Sequence, residues 1–309
     1  MIPLSITSDF VMSHGDPEPP LRKIAEAGFT HIHWCHHWRS DFLYANSEIE
    51  QIGRWLREYG LKLSDTHGSE GTEKFWYSPH EYARLAGVEL VKNRIDFTAR
   101  LGGDAIVMHV YPRSQAPAQT GLYDTLMTQL RKTLDEVQPF ALERGVRIAV
   151  ENLVDFAGLH AKVITVADAS DNADLIQDLF AEYSPEFLGF CYDSGHAHLG
   201  YDRREKFIDH MERLSILHLH DNDGTGDDHR LPFQDTIHWN KEMEMIAASP
   251  YTKPLSFEVN IGKTGIDSEE LFLAKALESG IELANMVALS RKNMDVDCDT
   301  NGANSAQRI

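Results

Sequence analysis

Acidic and histidine side chains stand at the ends of consecutive short apolar runs. Glu151, Asp193 and Glu258 each end such a run, and His218 and His220 lie in the run that precedes Glu258. Carboxylate oxygens and neutral imidazoles, without thiolates, are the ligands that hard and borderline divalent ions take. The sequence therefore predicts a divalent metal site, with Mn²⁺ first and Mg²⁺, Co²⁺ or Zn²⁺ as alternatives.

The two histidines of one run differ in their predicted depth. Because His218 and His220 are two residues apart, a β-strand places both side chains on the same face. His220 comes later and is expected to lie nearer the carboxyl end of the strand, with His218 one layer deeper. The predicted metal ligands are Glu151, Asp193, His220 and Glu258.

Eight short strand-like runs alternate with amphipathic helical segments, and this alternation is typical of a parallel α/β fold. The helices end in glycine at several points, as expected where a helix turns into the next strand. The predicted strands are Pro3–Thr7, Phe29–Trp34, Leu61–Thr66, Ala105–Val110, Arg147–Glu151, Phe187–Asp193, Ser215–His220 and Leu255–Val259.

Eight strand–helix units in 309 residues predict a single closed (β/α)₈ TIM barrel, in the α/β class. A doubly wound open sheet is less favoured, because no glycine-rich phosphate turn follows the first strand. The catalytic barrel is predicted to span residues 1–290, and residues 291–309 are predicted to be a polar C-terminal tail. In such a barrel the carboxyl ends of the strands meet at one mouth, which would bring the predicted ligands together.

Composition and charge limit the classes of function. The formal net charge is −19, from 48 acidic and 29 basic residues, which disfavours nucleic acid and anionic membrane surfaces as partners. No apolar run is long enough to span a membrane. Cys35, Cys191 and Cys298 have no paired spacing, so a disulfide framework is not expected and a cytoplasmic location is the simpler interpretation.

Several short motifs, in this order and spacing, resemble the xylose isomerase-like TIM-barrel superfamily. Within it, the chain is most similar to the sugar phosphate isomerase/epimerase group, which includes ketose 3-epimerases, hydroxypyruvate isomerase and inosose dehydratase, with AP endonuclease family 2 as a relative. The resemblance extends to about residue 290. The motifs are Val150-Glu-Asn152, Asp193-Ser-Gly-His196, His220-Asp-Asn-Asp223, Asp227-Asp-His-Arg-Leu-Pro232 and Phe257-Glu258.

The epimerase-type members imply a single metal ion, with Glu151 and Glu258 doubling as the catalytic acid/base pair. His196 would then contact the substrate. The resemblance implies proton transfer beside a carbonyl through a metal-stabilised enediolate. One departure stands out: where the 3-epimerases carry a substrate-binding arginine, this chain has Gly226, and Arg230 is the nearest replacement.

The endonuclease relative implies a second interpretation, because it binds three zinc ions and this chain matches its whole ligand pattern. The further metal ligands in that pattern would be His67, His109, His196, Asp227 and His229. The negative charge argues against a DNA substrate, since DNA-binding proteins gain affinity from Lys and Arg. A trinuclear-zinc phosphodiesterase therefore remains the alternative.

Aromatic and histidine side chains near the predicted mouth are candidate substrate contacts. Trp38 and Trp76 could stack on a sugar ring, and His67 and His109 could bind its hydroxyls. The predicted function is a metal-dependent isomerase or epimerase of a small sugar, polyol or keto-acid in carbohydrate metabolism. A dehydratase or other lyase on the same scaffold, or a barrel that only binds a ligand, remains open. Related proteins are often homo-oligomers, and the sequence does not set the oligomeric state.

Overall fold

The computed structural model describes residues 2–11, 15–200 and 202–305, with side chains described up to residue 294. Eight strands form one sheet, and every predicted strand is present with its boundaries shifted by at most a few residues. The strands are β1 (Leu4–Thr7), β2 (His31–Trp34), β3 (Lys62–His67), β4 (Ala105–Met108), β5 (Arg147–Glu151), β6 (Leu188–Asp193), β7 (Leu214–His218) and β8 (Leu255–Phe257).

Helices follow the strands, and the longer ones match the predicted amphipathic segments. Gly28 and Gly145 end two of these helices with φ of 105° and 64°, a backbone that side-chain-bearing residues rarely adopt. The α-helices are α1 (Glu18–Ala27), α2 (Asn46–Glu58), α3 (Glu81–Arg100), α4 (Pro117–Thr120), α5 (Tyr123–Arg144), α6 (Phe156–His160), α7 (Ala173–Glu182), α8 (Ser194–His198), α9 (Trp239–Ala248) and α10 (Glu269–Ser305). Short 3₁₀ helices span Val166–Asp168, Arg204–Arg213 and Ile261–Lys263.

The strands pair in parallel in the order β7-β6-β5-β4-β3-β2-β1-β8, which confirms the single (β/α)₈ TIM barrel. A parallel bridge between Leu219 and Phe257 joins the two outer strands and closes the sheet. The Leu219 amide donates to the Ser256 carbonyl at 2.9 Å across this seam. Closure brings the carboxyl ends of all eight strands to one mouth, where sites of this architecture lie.

A register shift between β6 and β7 decides which residues meet at that mouth. Phe190 pairs with Leu214, but the pairing advances by one residue after Phe190. As a result Asp193 lies directly opposite His218. A bulge of this kind redirects the side chains beyond it, and here it aligns His218 with a carboxylate.

The last helix, α10, continues from Glu269 to Ser305 and so passes the predicted domain boundary at residue 290. The polar tail of residues 291–309 therefore has a helical backbone as far as Ser305, and the boundary itself stays a prediction. Cys35 and Cys191 are free and buried, whereas the side chain of Cys298 lies outside the described part. Among the described residues, no helix has the length and apolarity needed to cross a membrane.

A buried carboxyl outside the mouth makes the stability of the fold depend on pH. Glu242 on α9 accepts the Tyr192 hydroxyl at 2.7 Å and pairs with Arg204 Nη1 at 3.0 Å. Burial raises the pKa of Glu242 from 4.5 to about 7, despite the opposing charge of Arg204. A raised folded-state pKa means that the stabilisation is complete below the unfolded value and is lost as pH rises through about 7.

Glu242→Gln is therefore expected to match the native protein near pH 5 and to be more stable near pH 8. For this one group the free energy of unfolding falls by up to about 1.4 kcal/mol per pH unit between the two pKa values. Melting temperatures measured across this range would test it, with Glu244→Gln, exposed on the same helix, as the matched control. A difference between native and Glu242→Gln that does not change with pH would contradict the assignment.

Candidate active site

Three carboxylates and one imidazole converge at the centre of the barrel mouth. Nδ1 of His218 lies 3.2 Å from Glu151 Oε1, 3.0 Å from Glu258 Oε2 and 3.9 Å from Asp193 Oδ2. One ligand atom from each of the four residues lies within 4.8 Å of the others, which is close enough for a single ion. We call Glu151, Asp193, His218 and Glu258 the central cluster.

His220, the imidazole predicted as the fourth ligand, lies beside the central cluster. Its Nε2 atom is 3.0 Å from Asp193 Oδ2, and its ring stacks on His229 with centroids 4.1 Å apart. His220, His229 and Glu258 form a separate group whose ligand atoms also lie within 4.8 Å of one another. The structure thus brings Glu151, Asp193 and Glu258 together as predicted and places His218, the deeper histidine, among them.

The backbone around Asp193 is held by Asn152, which follows Glu151 directly. The Asn152 amide donates to the Asp193 carbonyl at 2.9 Å, and the Asp193 amide donates to Asn152 Oδ1 at 2.7 Å. This pair of hydrogen bonds fixes the ends of β5 and β6 relative to each other. Gly195 is also required here, because a Cβ at this position would lie 1.9 Å from the His220 ring.

A second group of potential ligands shares Glu151 with the central cluster. His67, His109 and Glu151 offer ligand atoms within 4.8 Å of one another, with His109 Nε2 2.9 Å from Glu151 Oε2. The other ring nitrogen of His109, Nδ1, lies 2.7 Å from Glu70 Oε1. A carboxylate behind a histidine in this way fixes which ring nitrogen faces a metal. None of the sequence motifs had pointed to Glu70.

A third group lies on the side of the mouth that faces β7. Nε2 of His196 and Nε2 of His229 lie 3.4 Å and 3.1 Å from Asp227 Oδ2. The other oxygen of Asp227, Oδ1, is buried without a hydrogen-bond partner. His196 also contacts the central cluster, with Nδ1 3.3 Å from Glu151 Oε1. His67, His109, His196 and His229 therefore contact the central cluster, and Asp227 contacts His196 and His229.

The charges of the site are coupled through these contacts. Burial opposes ionisation, but His218 and His109 hold the pKa of Glu151 well below its ordinary value. Burial also opposes ionisation of Glu258, whose pKa His218 holds well below the ordinary value. Conversely, Glu151 overcomes burial and raises the pKa of His109 to about 9. A histidine must be neutral to bind a metal, so binding of a divalent cation would release the protons that these histidines carry.

His67 differs from His109 because its ring is held neutral. Burial, reinforced by the charge of His109, lowers the pKa of His67 to about 3. Neutral imidazole is the form that binds metals. His67 is therefore ready to serve as a ligand without losing a proton.

A cavity of about 610 Å³ opens above these groups, within the usual range for a small-molecule site. Glu151, Glu258 and His196 line it, and so do Trp38 and Arg39 from the loop after β2. The Trp38 ring lies 4.3 Å from the His67 ring, and the Arg39 guanidinium lies 4.2 Å from the Trp38 ring centroid. Arg39 is exposed and was not singled out in the sequence, because an isolated surface arginine carries no motif.

Two predicted substrate contacts do not line this cavity. Trp76 is completely buried in the hydrophobic core, where Gly87 of α3 packs against its backbone. Arg230 pairs with Asp228 and Asp235, both at 3.0 Å. We therefore leave Trp76 and Arg230 out of the candidate site and retain Trp38.

Comparison with known proteins gives a family match and related sequences. A family model described as "Xylose isomerase-like TIM barrel" matches residues 21–279. The uncharacterized protein y4fM of Sinorhizobium fredii is 35% identical over 290 residues, covering 88% of this chain and 89% of the relative. The uncharacterized protein MJ1311 of Methanocaldococcus jannaschii is 22% identical over 222 residues, covering 71% and 70%.

Solved structures with the same fold include sugar epimerases at low sequence identity. A D-tagatose 3-epimerase-like protein matches with a TM-score of 0.69 and 18% identity, over 95% of this chain and all of the other. An L-ribulose 3-epimerase matches at 0.70 and 15%, over 96% and 98%. The 3-keto-D-glucoside 4-epimerase YcjR of E. coli matches at 0.69 and 16%, over 91% and 98%. At such identities the likeness shows the fold alone.

Proposed function

The chain belongs to the family of xylose isomerase-like TIM barrels, and from this premise we propose that it is a metal-dependent sugar isomerase or epimerase. Structural neighbours named as sugar epimerases support the general kind of reaction. The substrate would be a small sugar or a related polyol or keto-acid. The proposal depends on the chemistry of the central cluster, because the fold alone supports many reactions.

One observation carries the proposal. A single nitrogen of His218 lies within 4 Å of three carboxylates, two of which belong to Glu151 at the end of β5 and Glu258 just after β8. The two glutamates offer oxygens within 4.8 Å of each other, and both line the cavity. Paired carboxylates that flank one ligand position are suited to moving a proton between two faces of a substrate.

The donor set fits a divalent cation. Three carboxylates and one imidazole suit Mn²⁺, Mg²⁺, Co²⁺ or Zn²⁺, and their ligand atoms all lie within 4.8 Å of one another. When bound, such an ion would polarise a carbonyl oxygen and so acidify the neighbouring carbon. Glu151, Asp193, His218 and Glu258 would hold it, with His220 replacing His218 as the alternative ligand.

The two glutamates would carry the proton. Because their pKa values are held low, one of the two side chains would be ionised near neutral pH and could remove a proton from a substrate carbon. The other would hold a proton, which the negative charge of the ionised glutamate favours, and would deliver it to the opposite face in epimerisation or to the neighbouring carbon in isomerisation. His196, which lines the cavity 3.3 Å from Glu151, would position a substrate hydroxyl. Loss of a leaving group after the same proton removal would make the enzyme a dehydratase or other lyase.

The second and third groups of potential ligands favour one further candidate, a trinuclear-zinc phosphodiesterase. Glu151 is shared between two groups, and Asp227 lies between His196 and His229. The net charge of −19 opposes a nucleic-acid substrate for such an enzyme. Counting the metals by mass spectrometry of the purified protein separates the two: one ion supports the isomerase, and three zinc ions support the phosphodiesterase.

The experiment that tests the proposal is incubation with a panel of ketoses, inososes and keto-sugars in deuterated water. A substrate should gain deuterium at one carbon, and this gain should require added Mn²⁺ or a related ion. NMR locates the exchanged carbon and so distinguishes epimerisation from isomerisation. A panel in which no substrate exchanges a carbon-bound proton, while an abasic-site phosphodiester is cleaved, would replace the proposal with the zinc enzyme.

Removing the metal is expected to lower the melting temperature. A ligand at a thousandfold excess over its Kd stabilises the folded state by about 4 kcal/mol, and the paired carboxylates would also repel one another without a cation. The melting temperature should fall after treatment with EDTA and recover on addition of Mn²⁺. The control is Glu151→Gln, for which the same treatment should shift the melting temperature much less.

A further inference from the structure

A second cavity, here called the aromatic cleft, adjoins the catalytic cavity. It has a volume of about 360 Å³, and its walls come from the loops after β3, β4 and β5 and from the start of α5. It therefore opens at the same end of the barrel as the central cluster. The aromatic cleft is lined mainly by the rings of Phe75, Tyr77, Tyr111, Tyr123 and Phe156.

The aromatic cleft and the catalytic cavity share walls, because Tyr111, Phe156 and His160 line both. The Phe156 ring lies 5.4 Å from the ring of His196. On the other side, the Tyr111 ring lies 5.8 Å from that of His109. A substrate group in the cleft would therefore be separated from the reacting groups by about one side chain.

The lining of the cleft selects for a neutral group. Its one acidic residue, Asp155, is buried and accepts hydrogen bonds from the backbone amides of Gln115 at 2.8 Å and Gly158 at 2.7 Å. His160 is exposed at the rim. Arg113 lies 5.5 Å from the Tyr123 ring centroid but does not line the cavity. Within the described lining there is thus no arginine or lysine to bind a phosphate.

The aromatic rings select for a flat or pyranose-shaped group. Phe75 and Tyr77 contact each other with ring centroids 4.2 Å apart and present a continuous aromatic wall. Phe75, Tyr111, Tyr123 and Phe156 are each only partly buried, so their surfaces remain available to a ligand. Aromatic faces bind the apolar C–H face of a sugar or another aromatic ring.

We propose that the aromatic cleft is a subsite for a second, neutral ring joined to the reacting sugar by a glycosidic bond. The substrate is then a glycoside whose reacting ring carries a ketone, because the glycosidic bond masks the anomeric carbonyl. A free monosaccharide or a sugar phosphate fills the site incompletely. This inference rests on the proposed function, which places the reacting sugar in the adjoining cavity. The second ring is either another pyranose or an aryl group, since both present an apolar face.

The test compares matched ligands of the Mn²⁺-loaded full chain by calorimetry. For each of several hexopyranosides that carry a ketone on the ring, the probes are the methyl glycoside, the phenyl glycoside, the corresponding glucosyl disaccharide and the 6-phosphate. A second ring should tighten binding by about tenfold over the methyl glycoside, as expected for aromatic stacking plus burial. A gain with the disaccharide assigns the cleft to a pyranose, and a gain with the phenyl glycoside assigns it to an aryl group.

Variants of residues that line the aromatic cleft test whether the gain in affinity arises there. Phe75→Ala and Tyr123→Ala should abolish it while leaving the affinity for the methyl glycoside unchanged, and Ala157→Trp should do the same by filling the cleft. Tyr82→Ala removes a tyrosine that is 89% exposed on α3 and serves as the matched control. Because several variants act on different walls, misfolding of one leaves the others to decide.

Three outcomes overturn the proposal: no probe gains affinity from a second ring, the 6-phosphate binds best, or the gain survives in all three cleft variants. The proposed subsite and the proposed reaction can be refuted independently of each other. Glycosides that bind in the cleft without proton exchange would refute the isomerase and leave the subsite intact. Exchange of free sugars without any gain from a second ring would refute only the subsite.

Discussion

Replacing Glu151 with Gln is expected to lower the rate of carbon-bound proton exchange by about 10³-fold, within the range that acid/base groups contribute. Glutamine keeps the size of the side chain but cannot take up a proton. Glu258→Gln should cause a loss of similar size, because each glutamate serves one face of the substrate. Deuterium incorporation measured by NMR, with metal content determined on the same samples, provides both readouts.

The two glutamates should also act as a unit. The double variant should lose little more than either single variant, since removing one member of a pair already disables proton transfer. Glu143→Gln, whose side chain is 76% exposed at the end of α5, is the matched control. Full exchange activity in a metal-loaded Glu151→Gln or Glu258→Gln protein would rule out the proton-transfer scheme. A loss of metal without a change in exchange by the remaining loaded fraction would assign that glutamate to binding alone.

The fold could be predicted almost completely from the sequence, and the reason lies in its periodicity. Several strands are short, mainly apolar runs between glycine or polar residues, such as Ala105–Met108 and Arg147–Glu151. Runs of this kind, separated by long amphipathic helices, have few alternatives to a parallel barrel. The shorter elements had no such signal. The helices Pro117–Thr120 and Ser194–His198 occupy loops and depend on tertiary contacts.

The meeting of the site residues could be predicted because the barrel brings strand ends together, but which of the two histidines lies among the three carboxylates could not. The sequence places His218 and His220 on one face and favours the later one as the ligand. The structure places His218 opposite Asp193 because of the register shift between β6 and β7. Alternation along a strand is local, whereas register depends on the neighbouring strand and on where a bulge is inserted.

Residues that act through others left no signal in the sequence. Glu70 bonds to His109 and Tyr111, and Asn152 holds the backbone of Asp193. Glu70 belongs to no motif, and Asn152 stands in the motif Val150-Glu-Asn152, which drew attention to Glu151 and gave no role to Asn152. Trp76 shows the opposite case, because its position after β3 suggested a sugar platform while its side chain completes the core. Contacts across the fold decide such roles.

His218→Gln is expected to weaken Mn²⁺ binding by at least about 100-fold, whereas His220→Gln should weaken it much less. Removing a residue that only hydrogen-bonds to a metal ligand usually weakens metal binding by up to about 100-fold. Removing a ligand itself should therefore cost at least that much. The physical reason is that Nδ1 of His218 lies 3.0 to 3.9 Å from three carboxylates, while Nε2 of His220 contacts Asp193 and, at 3.8 Å, Asp227. Titration with Mn²⁺, followed by calorimetry, measures both affinities.

Because His218 is completely buried, its replacement needs a readout that distinguishes a lost ligand from a damaged fold. His218→Cys provides one, since a thiolate prefers Zn²⁺ to Mn²⁺. This variant should bind Zn²⁺ while failing to bind Mn²⁺, a change of preference that misfolding cannot produce. If instead His220→Gln abolishes Mn²⁺ binding and His218→Gln retains it, the ion is held nearer the mouth. The glutamates would then act on a substrate that sits farther out in the cavity.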